Sequence, residues 1–318
     1  MLGFIIRRLL QCVLILIIVT FLVFWVMRLL PGDPLVLFVG NLETGGFSDE
    51  QIEALRHEFG LDKPFLVQYA DWIGGAVRGD FGTSIFYREK VQVLIGQRLP
   101  VTVYLGGLSF VISGVLGIFF GVVCAWKRGK WLDTVFTLLA NVGITVPSFW
   151  IGILLIYALG LQLGWLPIYG YTSPFKDFVL STRQVIMPVF CLALFSIAAL
   201  TRQTRSSMLE VIQQDYIRTA WAKGLKERIV VTRHAVKNAL IPIITVLGMH
   251  VGFIFGGSVL VETVFNIPGI GRLMTEAVLG QDYQIIQACV LLIATTVVLS
   301  NLLVDISYVW IDPRMKYE

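Results

Sequence analysis

Long runs of apolar residues recur along the chain, and most polar residues lie in the segments between them. An apolar run of roughly 20 residues is long enough to cross a bilayer as a helix. The pattern predicts six such helices, at residues 9–27, 100–126, 134–161, 185–199, from 242 onwards, and 285–310. We therefore expect an all-α integral membrane protein with six transmembrane helices.

Composition excludes several other classes of protein. The 318 residues are 56% hydrophobic and only 14% charged, which is too apolar for a soluble domain. The net charge of +4 comes from basic residues in short loops beside the apolar runs, so it indicates membrane topology and not binding to nucleic acid. All four cysteines lie inside apolar runs, without the spacing of a metal site or a disulfide framework, and we expect them to be packing residues.

The distribution of basic residues predicts the topology. Arg7 and Arg8 precede the first apolar run, and no small-residue cleavage site follows it, so residues 1–30 are expected to form a cytoplasmic N-terminus and an uncleaved first helix. Residues 31–98 are polar and are predicted to form an insert on the opposite side. Residues 99–318 then supply the five-helix core, and both termini are expected in the cytoplasm.

The insert is predicted to be a small helical cap. Ser48 and Gln51 have the spacing of a capping box, and apolar positions continue with helical spacing until Gly60. A second helix is expected after Pro64.

The loop at residues 202–240 is the one long basic segment between predicted spans. It contains eight Lys or Arg residues and three acids, which favours a cytoplasmic position. Asp215 is predicted to cap a helix of two turns that stops at Gly224. A further helix is then expected to return to the membrane, where Pro242 would open the fifth span. A basic loop of this kind can simply fix topology, or it can dock a cytoplasmic partner.

Polar residues beside a proline interrupt the third predicted span. Asn141, Thr145 and Ser148 flank Pro147, where the backbone of a membrane helix loses a hydrogen bond. These polar groups can line a translocation path, or they can bind a neighbouring helix. The pattern leaves both alternatives open.

Glycines at helical spacing predict close helix packing in two spans. Small residues four apart let another helix approach closely. The candidates are Gly117 and Gly121 in the second span and Gly248, Gly252 and Gly256 in the fifth. His250 lies roughly 200° around the helix from Gly248, outside that seam, and nothing nearby supports a metal site.

The motifs of the chain leave three classes of transport protein. The sequence has no phosphate-binding loop, no His-Glu-x-x-His zinc pair and no Gly-x-Ser-x-Gly elbow. We therefore expect no enzymatic activity. A passive channel, a secondary carrier and a permease driven by a separate ATPase remain.

The basic loop resembles the EAA loop of permease subunits of binding-protein-dependent ABC importers. Arg218, Thr219, Ala220 and Gly224 stand at the positions of that pattern, and Arg218 replaces its usual Glu, as in the dipeptide, oligopeptide and nickel branch. Trp221 stands where that branch usually has Arg. The resemblance implies an ATPase-docking segment, made of Ile217, Arg218, Thr219, Ala220, Trp221, Ala222, Lys223, Gly224 and Leu225.

Three further segments are similar to the same branch: residues 30–34, 79–84 and 262–271. The resemblance implies an ABC importer permease fold in the bacterial inner membrane, with the insert outside the cytoplasm. It implies three kinds of partner besides membrane lipid: a second, homologous permease, two ATP-binding subunits and an extracytoplasmic substrate-binding protein. ATP and Mg²⁺ would be used by the ATP-binding subunits, and this chain would bind no cofactor. Short peptides are the first expectation for the cargo, with nickel chelates or glutathione as alternatives, and a secondary carrier as the rival mechanism.

Overall fold

The computed structural model of the chain describes residues 2–29 and 49–311. Within these ranges it is helical, apart from loops and a single β-bridge between Thr83 and Lys90. The helices are α1 Leu2–Leu29, α2 Asp49–Glu58, α3 Phe65–Val77, α4 Val91–Trp126, α5 Trp131–Thr145, α6 Ser148–Leu155, α7 Phe178–Ile212, α8 Asp215–Ala222, α9 Glu227–Ile229, α10 Val236–Val264, α11 Ile270–Leu279 and α12 Tyr283–Ile311. A π-helical segment, Ile156–Gln162, continues α6, and a second, Val230–Ala235, joins α9 to α10.

The all-α membrane fold is confirmed, but the third span differs from the prediction. Among the described residues, five helices are long and apolar enough to cross a membrane, and a sixth span results if α5 and α6 are counted together. These two helices are bent by 103° at Val146 and Pro147, both of which are extended. Proline has no N–H to continue the helix and disfavours a helical conformation in the residue before it. The predicted third span is therefore divided at Pro147 into two helices, and the bend between them is much sharper than a local break in one straight helix.

Several helices are longer than the apolar runs that predicted them. α4 begins at Val91, inside the segment predicted as the insert, and α7 continues beyond residue 199 to Ile212. α10 itself begins at Val236, but its apolar span begins at Pro242, as predicted. An apolar run marks only the part of a helix that lies in lipid. The helix can extend beyond that run, because its backbone hydrogen bonds do not depend on apolar side chains.

Two compact units divide the chain. Unit 1 comprises Met1–Thr102 with Pro268–Thr296, and unit 2 comprises Val103–Ile267 with Val297–Glu318. In unit 1 the beginning of α4 packs with α11 and the beginning of α12 around a shared core that includes Val91, Leu94, Leu273 and Ile285. The segment at residues 262–283, predicted as external or partly re-entrant, thus contributes a helix to the same unit as the described part of the insert. The proposed capping box at Ser48 and the motif at residues 30–34 lie outside the described residues.

A buried carboxylate ties the two sequence-distant parts of unit 1 together. Asp282 is 1% exposed. Its Oδ2 accepts hydrogen bonds from Ser84 Oγ at 2.5 Å and from Phe86 N at 3.1 Å, and its Oδ1 accepts one from Ile285 N at 3.4 Å. A carboxylate has acceptor sites on both oxygens, so it satisfies all three donors.

A second polar contact lies beside the first. The Tyr87 hydroxyl donates to Glu276 Oε2 at 2.7 Å, and Arg272 Nε donates to Glu276 Oε1 at 2.8 Å. Burial, followed by the hydrogen bond to Glu276, raises the pKa of Tyr87 to about 12. The phenol therefore stays protonated, and can donate this bond, throughout the physiological pH range.

We expect Asp282→Asn to destabilise unit 1 by about 1–3 kcal/mol, because the amide has one acceptor oxygen and turns an N–H donor towards another donor. Thermal unfolding of the purified protein measures the effect. Asp71→Asn is the matched control, since Asp71 is half-exposed and forms an ion pair with Lys63 at 2.7 Å on the surface. Equal unfolding temperatures for the two variants would contradict this role of Asp282.

In unit 2 the central helix is α7, which packs against α5 and α10. The glycines predicted for packing in the second span lie against it. A Cβ at Gly117 would come within 2.6 Å of Leu200 Cβ, and one at Gly121 would overlap Thr204. Only a glycine lets the two backbones approach this closely.

The three glycines predicted to share a seam on α10 do not have the same surroundings. A Cβ at Gly248 would overlap Val304, and one at Gly252 would lie 3.2 Å from Val297, both on α12. Ser300 Oγ also donates to the carbonyl of Gly248 at 3.0 Å. At Gly256, by contrast, a Cβ would meet no described atom within 4 Å. Gly256 thus has no packing neighbour among the described residues of this chain, and its packing role stays a prediction.

Candidate functional site

The short helix in the basic loop is α8, and its start differs slightly from the prediction. Gln214, in an extended conformation, precedes the first turn, and Asp215 is already inside the helix. The residue at the N-cap position is therefore Gln214 and not Asp215, whose carboxylate lies 3.5 Å from Arg218, with both side chains exposed. Asp215 still places a negative charge in the first turn, which is favourable for the helix dipole.

The end of α8 depends on a glycine. Gly224 has φ of +77°, and the hydrogen bonds Gly224 N to Trp221 O at 2.8 Å and Leu225 N to Ala220 O at 3.4 Å close the last turn. This pair of bonds defines a Schellman motif with its left-handed residue at Gly224. A Cβ there would meet no described atom within 4 Å. Glycine is therefore required for its positive φ and not because a side chain would clash with a neighbour.

The inner face of α8 is anchored to the helices around it. Ile217 is fully buried and Ala220 is 7% exposed. They pack in one apolar cluster with side chains from α4, α7, the second π-helical segment and α10, namely Ala125, Met208, Val230, Val231, Ala235 and Ala239. A displacement of α8 would therefore push on the ends of three long helices.

The outer face of α8 carries large side chains that remain exposed. Tyr216 is 44% and Trp221 40% exposed, and the Arg218 side chain is 71% exposed. Tyr216 also accepts a hydrogen bond from Asn238 Nδ2 at 3.0 Å, which fixes its position. Aromatic and Arg side chains are the types enriched in protein–protein interfaces. Of the nine candidate docking residues, six lie on α8, and Lys223, Gly224 and Leu225 form the turn after it.

A cavity of about 500 Å³ opens at the break between α5 and α6. Thr145 and Ser148, two of the three candidate path residues, line it. The other lining residues are Ile144, Val146 and Pro147 at the break, Cys191, Leu192, Phe195 and Ser196 on α7, and Met249, Gly252 and Gly256 on α10. The walls are mainly apolar with a few hydroxyl groups, and they carry no charged side chain.

Asn141, the third candidate path residue, is placed elsewhere. It lines a separate cavity of about 430 Å³ together with Thr137, Arg202, Arg205 and other residues of α5 and α7. Its backbone carbonyl accepts the Thr145 hydroxyl at 3.0 Å, but its side chain does not reach the first cavity. The structure therefore does not bring the three polar residues into one site.

Sequence reasoning missed an ion pair beside the second cavity. Arg205 binds both carboxylate oxygens of Asp133, at 2.7 and 3.0 Å, and Asp133 also accepts from Gly129 N and the Thr137 hydroxyl. An acid in an apolar helix is costly unless it is paired. That rule, applied to Asp133, could have indicated a basic partner on another helix.

No metal site is evident in residues 2–29 and 49–311, where no three His, Cys, Asp or Glu side chains come together. His250 is 3% exposed and packs near Phe195, with 6.4 Å between the ring centroids.

The long apolar helices are those of a multi-pass membrane protein. Two family profiles match: binding-protein-dependent transport system inner membrane component over residues 117–317, and the N-terminal component of the same system over residues 1–106. The chain belongs to this family of permease subunits of ABC transporters. As a member of this family it is a transport component.

Individual relatives cover the chain completely. It is 43% identical over 319 residues to a putative peptide transport system permease protein of Brucella abortus (strain 2308), with 100% of both chains covered. It is 40% identical over 319 residues, again at 100% of both chains, to a glutathione transport system permease protein of Escherichia coli O1:K1. The inward-facing MetNI methionine ABC transporter is similar in fold, with a TM-score of 0.56 and 15% identity over 69% of this chain and 96% of that one.

Proposed function

We propose that the chain is a permease subunit of an ATP-driven importer of short peptides. The observation that carries the proposal is α8, a short helix whose inner face is locked into the ends of α4, α7 and α10 and whose outer face presents Tyr216, Arg218 and Trp221. A channel or a secondary carrier has no need of such a helix. An importer driven by a separate ATPase needs one, because movement of the ATPase must reach the bundle.

The proposed complex has four kinds of component. This chain pairs with a second, homologous permease, and two ATP-binding subunits lie against the cytoplasmic side, where they use ATP and Mg²⁺. An extracytoplasmic binding protein delivers the cargo. The absence of a phosphate-binding loop from this sequence supports placing ATP hydrolysis on the separate subunits.

The cavity at the α5–α6 break is our candidate for part of the translocation path. Its uncharged walls offer hydroxyl groups from Thr145, Ser148 and Ser196. Such walls can solvate a peptide in transit without holding it tightly, and they leave selection to the binding protein. Transport requires that the cargo leave the site as readily as it enters.

The choice of cargo rests on the relatives and on this cavity. The Brucella abortus relative is named for peptide transport, and glutathione, named for the Escherichia coli relative, is itself a tripeptide. Both names therefore favour small peptides. A nickel ion handled without a chelator would need His, Cys or carboxylate ligands. Cys191 is the one such side chain among the residues lining the cavity.

Copurification tests the mechanism. The tagged chain, extracted from its native membrane in mild detergent, should bring with it a second permease and an ATP-binding subunit, and the complex should hydrolyse ATP. Mass spectrometry of the purified material identifies the components. A chain that purifies alone and transports peptide without ATP would instead be a secondary carrier.

Cysteine labelling tests the topology, which we infer from the basic loops. In a variant without the four native cysteines, a membrane-impermeant maleimide should label Glu50→Cys in intact spheroplasts. It should label Lys226→Cys only after permeabilisation. Both side chains are exposed in the structure, so accessibility to reagent depends on the side of the membrane. Labelling of Glu50→Cys solely from the cytoplasmic side would overturn the topology and the docking role of α8 with it.

A further inference from the structure

A polar cavity and an apolar groove adjoin on α5 and α7 within unit 2. The cavity, of about 430 Å³, is lined by Thr137, Ala140, Asn141, Thr201, Arg202, Arg205, Ser206 and Leu209. The groove, of about 870 Å³, is lined almost entirely by apolar side chains of α4, α5, α6 and α7. Ala140 and Thr201 belong to both. A single molecule can therefore place a polar end in the cavity and an apolar end in the groove.

The charge of the cavity is unbalanced. The positive charge of Arg205 is balanced by the carboxylate of Asp133, which accepts two hydrogen bonds from it. Arg202 has no ion pair or hydrogen bond to any described residue, its side chain is exposed, and a guanidinium group remains charged in proteins. The cavity thus has a net positive charge and offers the donors of Arg202 together with the Asn141 amide. Arg side chains bind carboxylate and phosphate oxygens in bidentate geometry.

The depth of Arg202 indicates which anion it meets. It lies 24 residues after Phe178, at the start of α7, and two residues after Leu200, the last residue of an apolar run. At 1.5 Å per residue the distance along the helix axis is about 36 Å, which exceeds the hydrocarbon thickness of roughly 30 Å. With Phe178 at one membrane surface, Arg202 would lie at the level of the lipid phosphates on the other side, and the groove between them would run through the hydrocarbon region.

We propose that this paired site binds one anionic phospholipid, with its phosphate on Arg202 and an acyl chain in the groove beside Phe136 and Leu139. Basic pockets between membrane helices favour anionic headgroups. The groove supplies the apolar surface that a free carboxylate or free phosphate would not use. This inference depends on the membrane location of the chain and not on the cargo proposed above.

Native mass spectrometry of the detergent-purified complex tests the proposal, with added phosphatidylglycerol or phosphatidylcholine of identical acyl chains. We expect phosphatidylglycerol to be retained in preference. Arg202→Gln should lower its retention about tenfold, the effect of one lost charge-assisted hydrogen bond. Arg128→Gln is the matched control, because Arg128 is an exposed basic residue outside both pockets, and it should leave retention unchanged.

A second pair of variants tests the groove. Leu138 and Leu139 are 58% and 59% exposed, but only Leu139 lines the groove. Leu139→Trp should fill the groove and lower retention of phosphatidylglycerol, and Leu138→Trp should not. Because both side chains are exposed, neither variant disturbs the helix contacts.

Each of the following results would overturn the proposal. One is equal retention of the two lipids, and another is unchanged retention in Arg202→Gln. The third is a wild-type complex that retains no lipid, which would mean that another subunit covers the groove. Glycerol phosphate, which has the headgroup chemistry without acyl chains, should compete poorly. If it displaced the lipid at equal concentration, the site would bind a free anion only.

Discussion

Gly224→Val is expected to abolish substrate-stimulated ATP hydrolysis and peptide uptake in the reconstituted complex. A β-branched residue at φ of +77° costs at least about 1–2 kcal/mol, so the chain would leave the Schellman geometry and the turn after α8 would rearrange. The exposed face made by Tyr216, Arg218 and Trp221 would then lose its fixed position relative to the anchored face. Stimulation by loaded binding protein and uptake of labelled peptide are the two quantities to measure.

Gly79→Val is the matched control for this prediction. Gly79 has φ of +82°, ends α3 with the same pair of hydrogen bonds and, like Gly224, has no described atom within 4 Å of a Cβ placed on it. It therefore reproduces the backbone strain at a place far along the chain from α8. Unchanged stimulation in Gly224→Val, or an equal loss in both variants, would show that the turn after α8 has no special role in coupling.

Gly256→Phe is expected to reduce peptide uptake to the level of empty liposomes while the complex still assembles. Gly256 lines the cavity at the α5–α6 break, and no described atom lies within 4 Å of a Cβ placed there. A phenyl ring can therefore enter the cavity without displacing a neighbouring helix. Size-exclusion chromatography and basal ATP hydrolysis show whether the complex assembles. Uptake of labelled peptide shows whether the translocation path is open.

The control for the cavity variant is Gly107→Phe. Gly107 is also an exposed glycine in an apolar helix with no described atom within 4 Å of a Cβ, but it does not line the cavity. Normal uptake is expected in this variant. Normal uptake in Gly256→Phe would exclude the cavity from the translocation path.

The sequence predicted the membrane fold and α8 because both depend on local signals. Runs of apolar residues fix the spans, and a glycine in the right place fixes the end of a short helix. It could not predict the 103° bend at Val146 and Pro147, because a proline in a membrane helix is compatible with a kink as well as with a break. Nor could it predict that Asp282 would meet Ser84, since the two are 198 residues apart in the chain.

The candidate path was predicted only in part, for a related reason. Asn141, Thr145 and Ser148 are neighbours in sequence, but the helix turns Asn141 towards Arg202 while the break turns Thr145 and Ser148 towards the cavity. Gly256 has the spacing of Gly248 and Gly252, yet no described atom lies within 4 Å of a Cβ placed on it. Periodicity identifies the face of a helix, and the tertiary contacts decide which residues of that face have a neighbour.

Uptake of a labelled dipeptide into proteoliposomes is the most direct test of the central claim, an ATP-driven importer of short peptides. The liposomes contain the purified complex, the binding protein is added on the insert side and ATP is supplied on the α8 side. The account predicts accumulation that requires hydrolysable ATP and is lost in Gly224→Val. Accumulation without ATP, or accumulation of a nickel chelate in place of dipeptide, would contradict it.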